Sequence, residues 1–197
     1  AYEAFIEEPD VDHDSVVALS EMTLHNLRDR DGDCLETDVD IEDFLQRAEI
    51  LCALGKNVLI SNYGEFYKLA QYLYSQTNKP IAIALGIPNL LNIFTEHYYD
   101  DLDGGILEAF GRLFRNDMRL YVCPQIDPVN GEIVTVENVQ IENHLRHLYR
   151  HLIENDYIRP LDTIEHDHLL IKPRDVMSKI RDNDPSWAAM VPGQVAA

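Results

Sequence analysis

Asn57-Val58-Leu59-Ile60-Ser61, Pro80-Ile81-Ala82-Ile83-Ala84-Leu85 and Met118-Arg119-Leu120-Tyr121-Val122-Cys123 are three short β-type runs separated by helical stretches. Residues 56–123 thus predict strand, helix, strand, helix, helix, strand. The runs are nearly continuous in apolar residues, the pattern of strands buried on both faces, which belong to parallel sheets covered by helices. Such strands are joined by right-handed crossovers. The expected fold class is α/β: a Rossmann-like three-layer domain with a mostly parallel sheet.

Outward from this core, residues 1–55 predict an acidic helical layer. Residues 1–12 read as an extended lead-in. Residues 14–28 carry Val16, Leu19, Met22 and Leu27 near helical spacing. Asp40 then caps a helix with Ile41, Phe44, Leu45, Ala48, Leu51 and Cys52 inward, ended by Gly55. Downstream, residues 124–197 predict a hairpin, a helix and an irregular tail. Asn130-Gly131 is a tight-turn dipeptide before Ile133-Val134-Thr135-Val136, a small antiparallel excursion. A helix is expected over 139–155, edge strands over 157–172 with Leu169-Leu170-Ile171 the best, and a last helix over Arg174 to Arg181. The 197 residues suffice for one domain, expected to be part of a longer protein.

The formal net charge is −19, and the first 50 residues hold 16 Asp/Glu against three Lys/Arg, so −13 of it lies there and −6 in the rest. Nucleic-acid affinity rests on Lys/Arg neutralising phosphates, so no nucleic-acid partner is expected. An anionic membrane surface is disfavoured for the same reason, and no apolar run reaches 18 residues. Cys34, Cys52 and Cys123 are odd in number and form no CxxC pair, which suits a reducing, cytoplasmic compartment.

Ligands of open α/β sheets sit off the carboxyl ends of the strands. Those ends hold Asn62, Tyr63 and Gly64 after the first run and Gly86 after the second. The turn at 61–64 leads into a helix N-terminus, where backbone N–H groups can meet an anion. Gly104 and Gly105 open another helix, with Arg112 about two turns on. These seven residues are the candidate ligand site. Each has a plainer reading, as a βα turn or a glycine that permits close packing, and neither stretch is a GxGxxG or GxxxxGK[ST] loop.

Other patterns carry less. His144, His147 and His151 share one face of the expected 139–155 helix, but Arg146 and Arg150 flank them, and a solvated face is the simpler reading; no metal is expected. Glu165-His166-Asp167-His168 is a weaker set. Asp29-Arg-Asp-Gly-Asp33 fails as a calcium loop because its glycine is misplaced. It resembles the DxDG start of a haloacid-dehalogenase-type phosphatase, but the preceding residues do not read as a buried strand. No GxSxG elbow or HExxH is present.

Leu54-Gly-Lys-Asn-Val-Leu-Ile-Ser-Asn-Tyr63, Ile87-Pro-Asn-Leu-Leu-Asn-Ile-Phe94, Tyr98-Tyr99 and Gly104-Gly-Ile-Leu-Glu-Ala-Phe-Gly-Arg-Leu-Phe114 resemble the C-terminal region of a family of long bacterial proteins. Genome labels of that family include nicotinamide (or nicotinate) mononucleotide adenylyltransferase. The resemblance runs on through Leu120-Tyr-Val-Cys-Pro124 to Trp187. It implies a small-molecule or nucleotide ligand linked to NMN or NAD metabolism and, for an enzyme, nucleotidyltransferase-like chemistry. Adenylyltransferases of that name resemble one another in an HxGH motif after the first strand, where this chain reads Ser61-Asn-Tyr-Gly-Glu65 without histidine. No catalytic residue or cofactor is therefore carried over. The residues leave two functions open: a nucleotide- or anion-binding module, and a non-catalytic interaction or assembly domain with a protein partner or a second copy.

Overall fold

The computed structural model describes residues 1–24, 41–161, 169–171, 173–191 and 193–196. The expectations that fall on Asp29–Asp33, Cys34 and Glu165–His168 lie outside these residues.

The three apolar runs become β2 (Asn57–Ser61), β3 (Ala82–Gly86) and β4 (Arg119–Cys123). They do not form one continuous ladder. A two-stranded parallel sheet pairs β1 (Leu19–Thr23) with β2, in the register Leu19 to Asn57 through Thr23 to Ser61. A three-stranded parallel sheet has the order β3-β4-β7, where β7 is Ile158–Pro160. Gln125–Ile126 (β5) and Ile133–Val134 (β6) make the expected antiparallel excursion, closed by Gly131 at φ +73°.

Between the strands lie α2 (Ile41–Ala53), α3 (Phe66–Gln76), α4 (Ile87–Ile93), α5 (Gly105–Leu113) and α6 (Arg146–Glu154), after a short N-terminal α1 (Tyr2–Ile6). The tail carries α7 (Pro173–Arg181), a 3₁₀ turn at Pro185–Met190 and α8 (Gly193–Ala196). Gly55 ends α2 at φ +73°. The Lys56 N–H donates to Leu51 O and the Gly55 N–H to Cys52 O, the paired bonds of a left-handed helix stop.

The strand order β3-β4-β7 advances in one direction with the chain. Right-handed crossovers then place every connecting helix on the same side. Phe94 at the end of α4 makes edge-on ring contacts with Phe110 of α5 at 5.0 Å and Tyr149 of α6 at 5.2 Å. The Tyr74 hydroxyl of α3 donates to Leu113 O of α5 at 2.9 Å. Leu85, Leu120, Val122 and Ile158 supply the sheet's side of this core.

The other face of that sheet carries Ala82, Ala84, Arg119, Tyr121 and Arg159, since Ala84, Tyr121 and Arg159 are register partners. The N-terminal segment lies over it. Asp10 Oδ2 accepts from Arg119 Nη2 at 2.6 Å, Glu8 Oε1 accepts from the Tyr121 hydroxyl at 2.7 Å and from Arg159 Nη1, and Phe5 meets the Tyr121 ring edge-on at 6.4 Å. The Arg119 hydrogen bond holds the Asp10 carboxyl below the usual range, and burial with the Glu8 contact pushes the Tyr121 phenol up to about 12.

Four local expectations are corrected. Residues 1–12 contain a helix, α1, rather than an extended lead-in. The described part of the helix expected over 14–28, residues 14–24, is not helical: a 3₁₀ turn at His13–Ser15 precedes strand β1, so the N-terminal layer is not purely helical. The Val16, Leu19, Met22 spacing is overridden by backbone pairing to β2, a tertiary effect. The helix expected over 139–155 begins only at Arg146. Ahead of it Asn138 turns the chain, its Oδ1 accepting from the Thr135 N–H at 2.8 Å and its Nδ2 donating to Ile133 O at 2.9 Å. The edge strand is Ile158–Pro160, whereas Leu169 is helical and Leu170 lies in a turn.

Candidate functional site

The turn after β2 is fastened to β1. Ser61 is buried, donates its hydroxyl to the Glu21 carboxylate and accepts the Tyr63 N–H at 3.3 Å. Thr23 Oγ1 donates to Tyr63 O at 2.8 Å, and the Tyr63 ring rests against Tyr72 at 5.8 Å. Asn62 and Gly64 are exposed. Glu65 then caps α3 by position only; its carboxylate turns to Lys68 Nζ at 2.8 Å, which raises the Lys68 pKa.

The start of α5 is self-capped. Gly104 donates its N–H to Glu108 Oε2 at 2.9 Å, and the other oxygen of Glu108 takes the Arg112 guanidinium at 2.5 Å. Gly105 holds φ +53°, which a glycine adopts without strain. A Cβ added to Gly104 would stand 2.8 Å from Glu108 Cβ, so the reach-back of Glu108 needs glycine there. The Arg112 guanidinium lies 5.9 Å from the centre of the Tyr67 ring, and Lys68 Nζ 5.7 Å from the same ring. Tyr67 also meets Tyr99 at 6.0 Å, whose phenol is raised by burial.

The fold therefore gathers Gly104, Gly105 and Arg112 with the first turn of α3, which starts two residues beyond Gly64. Glu65 and Glu108 balance Lys68 and Arg112, so the patch is neutral and an incoming anion must displace Glu108. Gly86 sits at the N-cap of α4, and no hydrogen bond or ion pair joins it to this group among the described residues. A shallow depression lined by Tyr74 to Lys79 lies at the α3–β3 turn, the opposite end of β3 from Gly86.

His144 precedes α6 instead of sharing a helical face with His147 and His151, so the expected triple does not form. Its Nε2 stands 2.5 Å from Glu96 Oε2 and its Nδ1 3.7 Å from Glu142 Oε2. These three exposed residues can each offer a ligand atom within 4.8 Å of the others. The imidazole, however, is clasped between two carboxylates on its two nitrogens. That arrangement serves an imidazolium, and the Glu96 hydrogen bond raises the His144 pKa accordingly.

Sequence reasoning missed the cluster of Glu8, Asp10, Arg119, Tyr121 and Arg159. One signal was present: in Arg119-Leu120-Tyr121-Val122-Cys123 the polar and apolar residues alternate, which marks a strand with only one helix-covered face. Among the described residues, no helix is long and apolar enough to cross a membrane. No protein-family model, curated protein or solved structure matches this chain.

Proposed function

We propose that this chain is an interaction module whose β1–β2–α2 layer docks a basic, amphipathic polypeptide. The observation behind this reading is apolar exposure. Ile41 and Leu45 on α2 are 63% and 47% exposed, and Leu19 of β1 and Ile60 of β2 about as much, on opposite faces of the strand pair. Parallel strands ordinarily lie between covering layers, and a two-stranded sheet is marginal alone. Charge selects the occupant. Glu21 lies on β1 and Glu42, Asp43 and Glu49 on α2, in a segment that carries −13, so a second copy of the chain would be repelled and a basic partner attracted. An amphipathic helix laid on an apolar stripe is one such recognition mode.

The test is a titration with a designed Leu/Lys helical peptide, followed by backbone NMR. Shifts centred on Ile41 and Leu45 of α2, together with one of Leu19 and Ile60, that weaken with salt, vanish in Leu45→Asp and persist in Val129→Asp support the reading. Shifts elsewhere, or binding indifferent to Leu45→Asp, refute it. Self-association through the same residues in light scattering would replace the basic partner with a second copy.

A second reading is favoured by the meeting of α3 and α5 at Tyr67, with two cations over one ring. Here Asn62, Tyr63, Gly64, Gly86, Gly104, Gly105 and Arg112 border a nucleotide or small-anion site of NMN or NAD type. The helices on one side of the sheet are then one outer layer of a Rossmann-like three-layer domain within a longer cytoplasmic protein. Calorimetry with NMN, NAD and ATP tests it. Absence of heat at millimolar ligand, or binding unchanged by Arg112→Gln, ends this reading.

A further inference from the structure

The face of the β3-β4-β7 sheet opposite α4, α5 and α6 concentrates positive charge on neighbouring strands. Arg119 and Tyr121 project from β4 on the same face, and Arg159 projects from β7 as the register partner of Tyr121. All three meet carboxylates of the N-terminal segment. Glu8 Oε1 alone accepts from both the Tyr121 hydroxyl and the Arg159 guanidinium, while Glu8 Oε2 lies 3.9 Å from Arg119 Nη1 and Asp10 takes Arg119 Nη2. The Arg119 and Glu8 side chains are only 13% and 14% exposed, so water screens this group weakly.

The donors outnumber what the carboxylates accept. Arg119 Nη1 is shielded from solvent and has no hydrogen-bond partner among the described residues. A shielded donor without an acceptor is unfavourable, and native structures rarely keep one without a reason. An oxyanion with three or four oxygens can fill the place of Glu8 and also reach Nη1. Two planar guanidiniums beside a hydroxyl are a donor set suited to phosphate or to a pair of carboxylates. Ala82 and Ala84, on the same face of β3, are small, and Ala84 is exposed. The covering segment is itself lightly held: α1 buries no residue, and beside these polar contacts Phe5 leans on Tyr121, Val11 is buried and Asp12 lies 3.8 Å from Lys79 Nζ in an exposed ion pair.

We propose that Arg119, Tyr121 and Arg159 form a binding site for a small oxyanion, a phosphate group or a dicarboxylate, which the tethered carboxylates of Glu8 and Asp10 occupy in this structure. The N-terminal segment is thus an internal competitor, and ligand arrival releases residues 2–10 from the sheet. This site is separate from the patch at Tyr67 and from the exposed layer at α2.

Calorimetry with inorganic phosphate and with succinate, at constant ionic strength, separates the two ligand types. The Glu8→Gln/Asp10→Asn variant should bind one of them at least about tenfold tighter than the wild type, because a competitor at millimolar effective concentration has been weakened. Adding Arg159→Gln to that variant should abolish the gain. In the wild type, hydrogen exchange of residues 2–10 should quicken in phosphate or succinate while that of β3, β4 and β7 stays unchanged, a readout independent of how well the variants fold. The proposal is overturned if neither anion binds the folded double variant at about 10 mM, well above the millimolar range of weak binding. It is equally overturned if binding survives Arg159→Gln, or if neither anion alters the exchange of residues 2–10.

Discussion

Replacing Phe94 by leucine tests whether α4, α5 and α6 form one layer on one face of the sheet. The ring is 4% exposed and sits edge-on to Phe110 at 5.0 Å and 84° and to Tyr149 at 5.2 Å and 85°. Such aromatic pairs contribute about 0.5–1.5 kcal/mol each beyond buried area. Losing two of them, with a small residual cavity, costs about 2–4 kcal/mol. For a chain of this size that lowers Tm by roughly 5–15 °C. Differential scanning calorimetry reads the shift, and a double-mutant cycle with Tyr149→Leu isolates the α4–α6 contact, with an expected coupling of about 0.5–1.5 kcal/mol. Amide exchange should speed up in α5 and α6 together. A coupling below about 0.3 kcal/mol, within the scatter of independent sites, or unchanged protection in α6, would refute the single-layer geometry.

Tyr149→Phe removes the buried 2.6 Å hydrogen bond to Val136 O and leaves that carbonyl without its donor, for a loss of about 1–2 kcal/mol in urea unfolding. Gly104→Ala drives a Cβ into Glu108, breaks the cap on α5 and costs about 1–2 kcal/mol, whereas Gly111→Ala, which meets nothing within 4 Å, should be neutral or stabilising. The His144 pKa is raised above 6.5 by Glu96, so the clasp between residues 96 and 144 is complete below the unfolded-state value and is lost as pH rises through the folded one. An NMR titration should place the His144 midpoint above 6.5 and return it towards that value in Glu96→Gln; an unmoved midpoint contradicts the ion pair.

β2, β3 and β4 were readable as short apolar runs between helical stretches, and they begin and end within two residues of those runs; the expected burial on both faces does not hold, since Ile60 of β2 is 47% exposed and Arg119 and Tyr121 of β4 face the N-terminal segment. β1 was not readable. Leu19-Ser20-Glu21-Met22-Thr23 has neither an apolar run nor a clear alternation, and its pairing partner is a strand 38 residues away in register. β7 is three residues long and contains proline, too short to carry a period. In the candidate site, the glycines at 104 and 105 were visible as a helix opening, but the occupant of that opening was not inferred. Glu108 reaches back four residues to the Gly104 N–H, a local relation that the spacing alone permits without demanding. The cluster at Glu8 joins residues more than a hundred positions apart, and such pairings leave no trace in local sequence beyond the alternation of β4.

Pro160 has a consequence for how far the sheet can extend. Leu120 donates to Tyr157 O and Leu161 donates to Val122 O, so odd-numbered residues of this stretch turn their backbone inward to β4 and the even-numbered ones outward. The outward positions are Ile158 and Pro160, and proline has no N–H. The outer border of β7, unpaired among the described residues, thus offers a single amide donor to any neighbour, too little for a ladder. Strand addition, from this polypeptide or another, is closed at β7, which makes the sheet a structure with one terminated border and one direction of growth, beyond β3.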